Sequence, residues 1–266
     1  MEQAPGVITL TAAAIVAALL SSALVGLLLA LFGGGGSVLA APLLLYAVGV
    51  RDPHVAIGTA SAAVVANAAS NLIGHGRGGR VKWPCAITFA VAGLIGSFLG
   101  STLAKMLPGG QLLLAFAIAM AAIALSMLRR PKSEGDPDVH INAALVARLA
   151  PLGMLTGFAA GFFGIGGGFL IVPGLMLATG MTMANATASS LVSVTIFGAA
   201  TSLNYAASSL VDWRLAGLLL LGGTVGGLAG LFFAKRLTAR ALLARRMFAI
   251  LVLLVAAYVA WRALTG

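Results

Sequence analysis

The sequence predicts an all-α, polytopic membrane protein of two inverted-topology repeats, with about eight full transmembrane helices among eight to ten apolar segments. Three observations lead there. Of 266 residues, 61% are apolar and only 8% charged, against about 25% charged in a soluble domain. A water-facing surface needs several times that many ionisable side chains, whereas lipid needs few outside the headgroup rim. The apolar runs come in lengths near the roughly 20 residues that cross a bilayer, which leaves no room for a sizeable domain outside it. Finally, the chain repeats itself.

The first run extends from Val7 to Phe32. Met1–Gly6 carries no basic flank and the run has no evident cleavage site, so it reads as a retained segment rather than a signal peptide. A glycine cluster, Gly33–Gly36, interrupts it, and a short run through Pro42 ends near Gly49. Apolar segments follow at about 55–74, 83–106 and 111–128. The polar stretch from Arg130 to Asp138 separates these from a second series: a run broken at Gly164–Gly168, a short run through Pro173 to Gly180, and segments at about 184–207, 214–234 and 243–262.

The series match in detail. Residues 26–49 align with 157–180, with identity at Gly26/Gly157, Phe32/Phe163, Gly33/Gly164, Gly35/Gly166, Gly36/Gly167, Leu39/Leu170, Pro42/Pro173, Leu44/Leu175, Ala47/Ala178 and Gly49/Gly180. Thr59-Ala60-Ser61 then aligns with Thr187-Ala188-Ser189. Further on, Trp83, Gly93, Gly96, Gly100, Ala104 and Lys105 align with Trp213, Gly223, Gly226, Gly230, Ala234 and Lys235. The chain therefore divides into a first repeat at 7–129, a cytoplasmic linker at 130–142 and a second repeat at 143–264. In each repeat the glycine-broken pair crosses the membrane zero net times, whether it spans fully or re-enters, and three more segments make the net count odd. An odd count turns the second repeat upside down. Charge gives an independent check. Putting Arg77, Arg80 and Lys82 in the cytoplasm also places Arg129, Arg130, Lys132, Arg148, Lys235, Arg236, Arg240, Arg245 and Arg246 there, leaving only Arg51, Lys105, Arg214 and Arg262 outside. Both termini are then expected on the outer face of a bacterial cytoplasmic membrane.

Composition also narrows the chemistry. The net charge of +10 lies in short loops, which is a topology signal, and no basic helix or aromatic platform points to nucleic acid. Cys85 is alone, so no internal disulfide forms, and it reads as a buried structural thiol. His54, His75 and His140 have no partners at metal-ligand spacing, so neither a metal nor another cofactor is expected. The glycine strings lack the strand and following acid of a dinucleotide loop. No nucleophile–base pair or paired carboxylates suggest an enzyme. All six acids, Glu2, Asp52, Glu134, Asp136, Asp138 and Asp212, fall in termini or loops. Cation sites and proton relays in membranes usually depend on intramembrane carboxylates, so an anion is the better expectation.

The candidate site starts from the two glycine breaks: Gly33, Gly35, Gly36 and Ser37 in the first half, Gly164, Gly166, Gly167 and Gly168 in the second. Glycine lets the backbone leave the helix at membrane depth where protein or a polar cavity satisfies the freed groups. The short helix after each break, marked by Pro42 or Pro173, would aim its free N–H groups and positive dipole end at it. Close helix packing is the other reading of such glycines. Thr59, Ser61, Thr187, Ser189 and Ser190 could donate to an oxyanion or simply bond back to helix carbonyls. Asn67, with Asn71 and Asn204, is costly to bury and so expected at a cavity or a helix–helix bond. The series Gly93/Gly96/Gly100 and Gly223/Gly226/Gly230 reads as close packing. Lys105 and Lys235 read as residues snorkelling to the interface.

Two inverted repeats with Phe-Gly-x-Gly-Gly, a proline six residues past the last shared glycine, and a following Thr-Ala-Ser resemble the TauE/SafE family of sulfite exporters. The resemblance covers essentially the whole chain. It implies movement of a small sulfur-containing anion, such as sulfite, an organosulfonate or thiosulfate, across the lipid bilayer. Its motif falls on Gly33, Gly35, Gly36, Pro42, Gly164, Gly166, Gly167 and Pro173; Gly34 faces Ile165, and Ser37 faces Gly168. The expected function is export of sulfite or an organosulfonate by alternating access at a midplane site between the breaks. The alternative is proton-coupled uptake of sulfate, thiosulfate or sulfonate through His54 or His75; an intramembrane enzyme or assembly factor is the outlying case. A homo-oligomer stays open.

Overall fold

A computed structural model describes residues 11–128, 135–136, 138–139, 141–164, 168–237 and 241–265. These form ten α-helices: α1 Ala12–Phe32, α2 Ala40–Leu43, α3 Pro53–Arg77, α4 Trp83–Lys105, α5 Gly109–Leu128, α6 Ala143–Phe163, α7 Gly168–Thr179, α8 Met183–Ala206, α9 Trp213–Leu237 and α10 Ala241–Thr265. Eight are long and apolar enough to cross a membrane, all except α2 and α7. The protein is thus an all-α, multi-pass membrane protein.

Local chemistry sets the helix starts. Thr11, Asn142 and Thr182 each accept a hydrogen bond from a backbone N–H three residues on, at the heads of α1, α6 and α8. Asp52 caps α3 by accepting from the His54 N–H, Asp212 caps α9 by accepting from the Leu215 N–H, and Pro53 occupies the first position of α3, where its missing N–H costs nothing. α1 ends at Gly33 (φ +62°) and α6 at Gly164 (φ +65°), both conformations that a Cβ strains.

Glycine contacts give the helix directions. Cβ atoms built at Gly222, Gly226 and Gly230 of α9 would strike the backbone of Leu19, Ala23 and Leu27 of α1, each pair four residues beyond the last, so α1 and α9 run together. Asn67 and Asn71 of α3 meet Gly223 and Gly227 in step, which adds α3 to that set. Gly96 and Gly100 of α4 meet Met154 and Phe158 of α6 in the same way. Ser97 reaches Phe197, and Lys105 reaches Asn204, so α8 runs with α4 and α6. Against α3, however, α8 runs backwards: Gly58 meets Tyr205 and Gly198 meets Val65. The glycine series thus does pack helix against helix, as expected.

α8 and α3 form the centre, with 78% and 61% of their spanning windows buried, whereas α6 and α10 have 28%. The short helical segments add fully buried Leu39, Leu44, Ile171 and Leu175 to the core. Outward faces carry large apolar side chains such as Ile95, Leu228 and Phe232, as a lipid-facing surface should.

The first break differs from an open loop. Gly33–Leu39 is a 3₁₀ stretch running directly into α2, followed by a π turn at Leu44–Val48. In the second half α7 starts at Gly168, while Gly166 and Gly167 lie outside the described residues, as do Arg129, Arg130, Lys132 and Arg240. α7, at 12 residues, extends only about 18 Å, short of the roughly 30 Å hydrocarbon core.

Candidate functional site

Each break is seated on the central helix of the other half. Gly33 lies against Thr187 and Ser190 of α8: a Cβ there would sit 2.8 Å from the Ser190 hydroxyl oxygen. The Gly34 N–H donates to Ser190 Oγ (3.1 Å), and that hydroxyl donates to the Thr187 carbonyl (2.8 Å). Gly164 rests on Ile57 of α3, and the Ser61 hydroxyl donates to the Gly164 carbonyl. Helix ends leave N–H and C=O groups unpaired, and these hydroxyls satisfy one at each break.

The remaining hydroxyls hold loops. Thr59 Oγ1 accepts from the Asp212 N–H and Ser189 Oγ from the Lys82 N–H, both at 2.9 Å. Ser37, fully buried, donates to the Gly34 carbonyl (2.7 Å) inside the first break. Of the predicted site residues, the structure therefore brings Gly33 together with Thr187 and Ser190, and Gly164 with Ser61. Gly36 packs back on α1, where a Cβ would overlap the backbone of Leu28 and Leu29. Pro42 lies within α2 and Pro173 within α7.

The two breaks are not side by side. Ser190 and Thr187 occupy the first two turns of α8, and Ile57 and Ser61 the first turns of α3, at opposite ends because α3 and α8 are antiparallel. Ser61 lies level with α8 between Gly198 and Tyr205, two to four turns from Ser190. At 1.5 Å rise per residue the breaks are roughly 15–20 Å apart along the bundle axis. The first break nevertheless packs against α7, so the short segments of the two halves touch.

Several features escape a reading of the sequence. Phe32, just before the first break, stacks on Phe248 of α10 with ring centres 4.5 Å apart. Phe163, at the same place before the second, lies 5.8 Å from Phe116 of α5. Each ring contact anchors the residue just before its break. Lys105 does not simply snorkel: its ammonium donates to the Asn204 carbonyl (2.9 Å), Asn204 Oδ1 (2.8 Å) and Ser208 Oγ (2.8 Å). All three of its donors are used. Asn204 in turn donates to Ser101 and Thr102, tying α4 to α8. His54 and His75, placed at loop edges by the sequence, lie in the first and last turns of α3; His75 is buried and bonds the Ala30 carbonyl near the end of α1. Cys85 is buried in α4, as expected.

A bundle of eight spans with a glycine-flanked helix interruption in each half has the build of a membrane transport protein. The profile described as "Sulfite exporter TauE/SafE" matches residues 18–259, and the chain belongs to that family. It is 47% identical over 226 residues to a "Probable membrane transporter protein" of Xylella fastidiosa, covering 85% of this chain and 87% of the relative. A Bacillus subtilis relative, "Probable membrane transporter protein YunE", is 26% identical, covering 67% of this chain and 71% of its own length. A Methanocaldococcus jannaschii "Probable membrane transporter protein MJ0441" is 30% identical over 53% of each. No solved structure matches.

Proposed function

We propose that this transporter exports sulfite or an organosulfonate from the bacterial cytoplasm by alternating access. The anion occupies the space between the two breaks, and each break, at its own end of the bundle, serves as a gate. The observation that carries this is the reciprocal seating of the breaks: Gly34 on Ser190 and Gly164 on Ser61. A gate held by one hydroxyl can open without stranding a buried charge.

The halves 7–129 and 143–264 act as inverted repeats joined by a cytoplasmic linker at 130–142. In support, α1, α3 and α9 run one way, while their sequence counterparts α6, α8 and α4 run the other. The basic residues then place both termini outside. The anion reading is supported by the position of the acids, none of which lies within any of the eight spans. Glycine backbone, hydroxyls and Asn67 offer neutral donors, which bind an anion weakly enough to let it leave. The inside-negative potential drives each exported negative charge by about 2.3 kcal/mol per 100 mV. A monoanion can therefore leave without a coupling ion.

The test is flux from proteoliposomes loaded with sulfite or a sulfonate under an imposed potential. Efflux that grows with the potential is expected. Absence of any potential-responsive flux overturns the reading, and accumulation driven by a proton gradient would replace it with coupled uptake.

A further inference from the structure

One cavity breaks the likeness between the halves. α1, α2, α3 and α9 enclose a space with room for about one water-sized or methyl-sized group. Its wall is mostly apolar, with Val25, Leu43 and Leu219 among the lining, and its polar corner is formed by Ser21, Ser22 and Asn67. Asn67 is only 2% exposed. Its Nδ2 reaches the Leu219 carbonyl at 3.3 Å, but its Oδ1 has no partner. A buried amide left half-satisfied costs free energy unless something else completes it.

In the second half the corresponding space is full. The repeat alignment sets Phe89 opposite Leu219, Thr156 opposite Val25 and Gly174 opposite Leu43. Phe89, fully buried, lies over Gly174, its ring 3.2 Å from where a Cβ would be, and the Thr156 methyl is 3.0 Å from the same point. The ring occupies what the smaller leucine leaves open. The fold thus accommodates a plug at this place, and the first half lacks one.

We propose that this cavity receives the organic group of the transported anion and that Leu219 sets how large that group can be. The inference rests on the transport reading above. A methyl-sized apolar end fits such a pocket, against Val25, Leu43 and Leu219, with the oxyanion head outside it. Each buried CH₂ is worth about fourfold in affinity, so the wall discriminates by length.

The experiment measures efflux of methane-, ethane- and butanesulfonate, with sulfite alongside, from proteoliposomes of wild type, Leu219→Ala and Leu219→Phe. Folding is checked by monodisperse elution in detergent. In Leu219→Ala the ratio of butane- to methanesulfonate flux should rise at least tenfold, because the pocket lengthens. In Leu219→Phe the ethane-to-methane ratio should fall severalfold. Should the phenylalanine variant not fold, the alanine variant alone decides. Ratios unchanged in a folded variant overturn the assignment while anion flux itself survives. If wild type moves none of these anions, the transport reading fails first, and this inference with it.

Discussion

Replacing Gly226 by alanine should loosen the bundle, and the size of the effect follows from the crossing of α9 with α1. A Cβ at Gly226 would overlap the Ala23 carbonyl oxygen and lie 2.6 Å from its carbon and 2.7 Å from its Cα. These are backbone atoms inside a helix and cannot turn aside. Restoring ordinary contact at about 3.5 Å needs the helices to part by roughly an ångström. Overpacking of this kind costs about 1–3 kcal/mol. Gly217, on the same helix, has nothing within 4 Å of its Cβ position. Alanine there only improves helix propensity, by about 0.8–1 kcal/mol. The two variants should differ by about 2–4 kcal/mol, with opposite signs. At roughly 2–4 °C per kcal/mol for a chain of this size, thermal unfolding in detergent should separate them by about 5–15 °C. Trp83, Trp213 and Trp261 supply the fluorescence signal. Equal shifts in the same direction would falsify the packing argument.

Ser61→Ala leaves the Gly164 carbonyl without its hydroxyl donor, and Ser190→Ala leaves the Gly34 N–H without an acceptor; each should cost about 1–3 kcal/mol in the same melts, and unchanged stability in both would remove the hydroxyls as holders of the breaks. Lys105→Met discards three hydrogen bonds tying α4 to α8 and should lower the Tm clearly. A melt like wild type would mean that Lys105 merely reaches the interface. Asp138→Asn breaks an ion pair with Lys82 at 3.7 Å whose carboxylate side chain is 82% exposed. Exposed pairs contribute little, so no measurable change in Tm is expected, and a large fall would show that the linker is held far more tightly than its exposure implies.

Much of the architecture is legible in the sequence because lipid imposes simple rules. Length and hydropathy locate the spans, and the predicted segment at 83–106 differs from α4 by one residue. The Gly93/Gly96/Gly100 series announces its role because only a missing side chain lets two helix backbones approach so closely. The hydroxyls are less readable. Thr59 and Ser61 look like ligands by residue type, and their partners, the Asp212 N–H and the Gly164 carbonyl, lie more than a hundred residues away. No local pattern encodes such pairs, since they depend on where α3 crosses the other half. The separation of the breaks is a middle case. The motif duplicates them, but the 21 residues of α1 already span about 31 Å. A break that follows a full crossing must fall near the far end, and its counterpart after the oppositely running α6 near the other.

For the transport proposed above, that separation changes how neutral groups would carry an anion. A single cage made of both helix ends would hold the anion with all its donors at once, and release would mean losing them together. Breaks at opposite ends divide the task. Each is held by a hydroxyl from the other half, and the same hydroxyl can serve the ligand only by giving up the break. A neutral hydrogen bond contributes about 1 kcal/mol net, so exchanging one such bond for another costs little. It is small beside the roughly 2.3 kcal/mol that 100 mV supplies per charge. If the breaks gate an anion as proposed, a membrane potential of ordinary size exceeds the hold on either one, whereas a buried ion pair in the same place would cost several kcal/mol to break. On the proposed reading, the absence of acids from the spans and the spending of hydroxyls between halves are two sides of one physical requirement: a gate must be weaker than the force that works it.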